Sequence, residues 1–228
     1  MHWLRCVLAE WQLLRARLVR SRLGLWLLLL GGGGVWLATR GAPLTILAPH
    51  LAMLGAVLGV AFSVGSDVDR AAVALTLTHP TTPLAVAAGR WLAAVTAAGI
   101  LLLAFLCVAA ALTSLPAGPL LRAGGAALGA AAAAAGCALV AAARGGNALT
   151  GALFLYIAVP SVVSADTLGA VLAPGALTRI SVVVLELLPG VWRYEALAGG
   201  DPVGWAHAAC WVVGGIAGTA QLFTRRAV

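Results

Sequence analysis

Lysine is absent from the 228 residues, and charge of any kind is scarce at 9% of the chain. Without lysine there is no GxxxxGK phosphate loop followed by Ser or Thr, which excludes ATP hydrolysis by that mechanism within this chain. Any ATP must be handled by a partner. The four histidines, His2, His50, His79 and His207, form no HExxH zinc motif, and none has a second carboxylate nearby. Ala61-Phe62-Ser63-Val64-Gly65 lacks the first glycine of the GxSxG nucleophile turn and has no evident base. Of four cysteines, Cys107, Cys137 and Cys210 lie in apolar blocks and Cys6 precedes them, with no CxxC spacing. That excludes a disulfide framework and a cysteine metal site. No catalytic residue is expected, and too few acids and histidines converge for a lipid-modifying enzyme. Ionisable groups within the apolar blocks are too few for a proton- or sodium-coupled carrier.

What fills the chain instead is apolar: 62% of residues are hydrophobic and mean hydropathy is +1.04. A globular fold of this composition has too little polar surface to cover itself in water, so its solvent is lipid. About 20 apolar residues cross roughly 30 Å of hydrocarbon, and six such blocks are legible: Leu23 to Thr39, Leu44 to Ser66, Ala85 to Ser114, Leu120 to Ala143, Ala148 to Ala165, and Val203 to Thr224. They lack the period-2 alternation of a β-barrel. Their glycine and alanine content favours close helix packing. The expected fold class is therefore all-α, a polytopic bundle of six transmembrane helices.

Arginine positions set the orientation. With the N-terminus in the cytoplasm, Arg5, Arg15, Arg17, Arg20, Arg22, Arg70, Arg90, Arg144, Arg225 and Arg226 are inside, and Arg40, Arg122, Arg179 and Arg193 are outside. Both termini are then cytoplasmic, and the net charge of +7 reflects topology rather than nucleic-acid binding. The first apolar block follows an arginine-rich stretch, unlike a cleaved signal, so the first span is expected to be retained.

Residues 1–22 read as an amphipathic helix ahead of a transmembrane domain at 23–228. At 100° per residue Trp3, Leu4, Val7, Trp11, Leu14 and Leu18 share one face, flanked by arginines. Such a helix lies at the cytoplasmic headgroups, as a plain anchor or as a docking element. The run Gly31 to Gly34 costs helix propensity and fits a kink or a packing seam. Between the second and third blocks, Asp67 and Asp69 open a short helix, Arg70 follows, Leu75 and Leu77 lie on its apolar stripe with Val73, and His79-Pro80 ends it before Thr81-Thr82-Pro83. On the outer side, about 168–200 reads as a re-entrant or interfacial hairpin, because Ile180 to Leu188, between Pro174 and Pro189, is apolar but too short to span. Glu186 would be the deepest acid there, or a helix end near the headgroups.

The amphipathic helix, six spans, outer hairpin and D-x-D-R-x(8)-H-P-T-T-P-x(6)-R segment ending at Arg90 together resemble an ABC-2 type transporter permease. The resemblance implies a subunit of an ATP-binding-cassette exporter in a bacterial cytoplasmic (inner) membrane. Residues 67–82 would be its coupling helix, with Asp67, Asp69, Arg70, Leu75, Leu77, His79, Pro80 and Thr82 facing the ATPase subunit. It implies no cofactor in this chain, ATP and Mg on the partner, and a second permease copy or related permease, while inner walls of Ala, Gly, Val and Leu with few charges favour a hydrophobic or amphipathic cargo. Arg144-Gly145-Gly146 and the compact loops are also similar to the heme-exporter B subunit of cytochrome c maturation, which would make heme the cargo. A membrane scaffold that transports nothing is the alternative from another class.

Overall fold

A computed structural model describes residues 2–64, 82–113 and 116–227, and every element among them is helical. The helices are α1 (His2–Arg20), α2 (Leu23–Thr39), α3 (Leu44–Val64), α4 (Pro83–Thr113), α5 (Ala117–Ala158), α6 (Ala165–Val171), α7 (Ala176–Leu187), α8 (Val191–Tyr194) and α9 (Pro202–Ala227). Short 3-10 turns occupy Pro160–Val162 and Glu195–Gly199. Three stretches are long and apolar enough to cross a membrane: Leu44–Ser63, Pro83–Leu112 and Ala117–Ala158. Leu23–Thr39 is apolar but shorter.

α5 is two arms rather than one rod. Gly146 sits at φ 58° and ψ −145°, a region closed to side chains with a Cβ, and Gly145 is also non-helical. Neighbouring helices give the sense of each arm. α3 and α4 are antiparallel, with Gly59 against Ala94 and Gly55 against Ala98. The arm over 117–144 runs antiparallel to α4, since Gly124 meets Leu106 and Ala143 packs with Val86. The arm over 147–158 runs antiparallel to α3, since His50 early in α3 meets the backbone of Ile157 and Ala158, while residues 57–62 share a cavity with residues 147–154. The chain therefore turns back on itself at Gly145-Gly146, where the sequence places a connector.

Small residues hold the middle of the bundle. Ala127, Ala130, Ala131, Ala134, Ala138 and Ala142 are fully buried on the first arm of α5. α9 runs parallel to that arm and crosses it at Gly136 and Gly215, where a Cβ on Gly136 would strike the Trp211 carbonyl. Packing at backbone distance is how apolar helices associate when lipid offers no hydrophobic gain.

Two expectations are adjusted. The fifth apolar block, read as Ala148 to Ala165, is helical only to Ala158, because Pro160 removes a helical N–H and opens the 3-10 turn. The glycine run of α2 produces no break: the helix is continuous, Gly34 seats Leu51 and Gly31 lies against Leu101, while Gly32 and Gly33 have open space.

Candidate functional site

One end of the bundle gathers the end of α3, the start of α4, the turn in α5 and the end of α9. α1 joins them. Val7 packs with Ala85 and Ala88, Leu14 packs with Ala93 and Ala97, and Glu10 meets Gly89, so α1 lies along α4 in the same direction. Polar groups fix this register. Arg90 Nε donates to Glu10 Oε1 at 3.1 Å, with the two side chains only 3% and 12% exposed. Trp11 Nε1 donates to Thr96 Oγ1 at 3.1 Å. The Arg90 guanidinium also lies over the Phe223 ring at 5.2 Å, which brings in α9. Gly89 permits the approach, since a Cβ there would fall 2.9 Å from the Val7 carbonyl oxygen.

Part of the face of α1 assigned to lipid is therefore used on protein. Val7 and Leu14 are buried and Trp11 is half-buried, whereas Trp3 and Leu4 are exposed. Of Leu18 only its place in the helix is described. The physical reason is that α4 offers a partner for each polar group of this face, Arg90 for Glu10 and Thr96 for the Trp11 indole.

Asp67, Asp69, Arg70, Leu75, Leu77, His79 and Pro80 lie outside the described residues, and so does the expected helix they form. Thr82 is described. Its Oγ1 accepts from the Ala85 N–H at 3.2 Å, capping α4 with Pro83 at the first helical position.

At the opposite end, α6 and α7 form a helical pair, with Val182 over Gly169. The Glu186 side chain, in the last turn of α7, is 48% exposed and pairs with Arg193. Pro189 is buried just after that helix. Sequence reading missed the polar cluster beneath. Leu187 O accepts from His207 Nε2 at 3.1 Å and from Trp211 Nε1 at 2.8 Å. With Nε2 as donor, Nδ1 of His207 is an acceptor, and the Tyr194 hydroxyl donates to it at 2.9 Å. Tyr194 is fully buried, which pushes its phenol well above the ordinary tyrosine value. The signal in the sequence was a tyrosine, a histidine and a tryptophan near the start of the last apolar block.

A cavity of about 550 Å³ opens between α2, α3 and the second arm of α5. Val57 forms its buried floor, and Trp26, Asn147 and Gly151 are exposed at its mouth. No group of three or more His, Cys, Asp or Glu arranged to hold a metal ion occurs among the described residues. No protein-family model, curated protein or solved structure matches the chain.

Proposed function

We propose that the chain is the membrane-spanning permease subunit of an ATP-binding-cassette exporter that uses ATP hydrolysed by a separate subunit. In this reading α2, α3, α4, the two arms of α5 and α9 are six crossings, the pair α6 and α7 dips into the outer leaflet, and both termini are cytoplasmic. A second permease copy or a related permease completes the path, and the cargo is hydrophobic or amphipathic.

The observation that carries the reading is the end of the bundle where α1, α4 and α9 meet through Glu10, Arg90 and Phe223. α3 ends and α4 begins at that same end, and the expected coupling segment falls between them in the sequence. A push on this connection is delivered to the start of α4, which is tied at once to α1 and α9. Arg90, Arg144 and Arg225 belong to this end, which supports a cytoplasmic placement.

Affinity purification of the chain from its native membrane in mild detergent, with mass spectrometry of its companions and an ATPase assay, tests the proposal. The expected result is a stoichiometric ATP-binding subunit that is lost when Asp69, Arg70 and Leu77 are replaced. Recovery of the chain alone, or in an assembly without an ATPase, would favour the scaffold reading.

A further inference from the structure

The cavity between α2, α3 and the second arm of α5 has a polar end and an apolar end. Asn147 stands at the end next to the Gly145-Gly146 turn. The other polar side chain there, Thr150, gives its hydroxyl proton to the Gly146 carbonyl at 2.9 Å. The Asn147 carboxamide is exposed at the mouth, and its two N–H donors and one acceptor oxygen are available to a ligand. The rest of the described lining is apolar, with Trp26, Phe62 and Phe154 supplying flat aromatic surface over the Val57 floor. None of the described lining residues is charged. A volume of about 550 Å³ lies within the range of small-ligand sites.

We infer that this cavity binds an amphiphile with an uncharged, hydrogen-bonding head and an apolar body, its head at Asn147 and its body along Phe154 and Val57. Three features select that chemistry. A phosphate or carboxylate head would find no cation to pair with among the described lining residues. A wholly apolar ligand would make no use of the Asn147 donors and acceptor. A sugar or an ion would find one carboxamide and a wall of aromatic and aliphatic groups. The ligand is called cargo only on the strength of the transport reading; binding itself does not depend on it.

Gly151 makes the test clean. It lines the cavity, and a Cβ built on it meets nothing within 4 Å, so Gly151→Trp fills the space without displacing the core. Gly118→Trp, also in open space but at the other end of α5, is the control. The full chain is reconstituted in nanodiscs, and binding of dioctanoylglycerol and of dioctanoyl phosphatidate is titrated by native mass spectrometry. Dioctanoylglycerol should bind saturably to the wild type and to Gly118→Trp, and at least tenfold more weakly to Gly151→Trp. Asn147→Leu, which leaves the cavity open, should weaken it severalfold, and phosphatidate should bind the wild type at least tenfold more weakly than dioctanoylglycerol. Absence of saturable binding, equal affinity for the phosphatidate, or wild-type affinity in Gly151→Trp would overturn the inference. A Gly151→Trp chain that changes oligomeric state while still binding dioctanoylglycerol would also overturn it and mark the cavity as a contact between copies. Since the titration uses no ATPase, its result is independent of whether an ATP-binding subunit copurifies.

Discussion

Glu10 and Arg90 are 80 positions apart and meet in a nearly solvent-free contact at 3.1 Å. A buried charge pair holds its geometry because removing either partner leaves the other poorly compensated. A double-mutant cycle of Glu10→Ala and Arg90→Ala, read by thermal unfolding in detergent, should give a coupling of at least about 1 kcal/mol. Additivity of the two single changes would remove the tie between α1 and α4. Tyr194 gives a second prediction at this scale. Burial favours its neutral phenol, so the folded state holds the proton more tightly than the unfolded chain, whose tyrosines titrate near 10. The stabilisation is complete below that value and is lost as pH rises above it. Melting temperature should fall above about pH 10, and less steeply in Tyr194→Phe; equal slopes would contradict the assignment. Neither contact was legible in the sequence, because Glu10 sits on a helix read as interfacial and His207 reads as an ordinary residue at a span end. Partners this distant are found only once helices are placed.

At the scale of elements, the turn within α5 was the most legible feature. The Arg144-Gly145-Gly146 connector is where α5 turns, since a left-handed φ beside an extended ψ accepts only glycine readily. Gly146→Ala should cost about 1 to 3 kcal/mol and be measurable as a drop in melting temperature, while Gly125→Ala, in open space, should be close to neutral. Gly136→Leu should be worse than either, because its side chain would enter the backbone of α9. Wild-type stability in Gly136→Leu would mean that the crossing is not packed as described. Element lengths were less legible: Pro160 cuts the fifth block short, whereas hydropathy alone carries it to Ala165. The run Gly31 to Gly34 shows the same limit, as composition permits both a kink and a seam and only the neighbours Leu51 and Leu101 decide.

Across the whole molecule, the apolar blocks and the helical class follow from composition and hydropathy, which are summed over many residues and so tolerate local error. Three helices are long and apolar enough to cross a membrane. The proposed orientation and transport role rest on the arrangement at the α1 end. Cysteine labelling in native membranes tests that arrangement most directly, with the four native cysteines replaced and single cysteines placed at Arg5, Thr82 and Asn147 near that end and at Ala42, Gly118 and Thr178 away from it. The account predicts that a membrane-impermeant maleimide applied from outside labels the second group in intact cells, and reaches the first group only after the membrane is opened. Labelling of Thr82 or Asn147 in intact cells, or protection of Ala42 and Gly118, would contradict a bundle whose α1 end faces the cytoplasm and, with it, the proposed docking of an ATPase there.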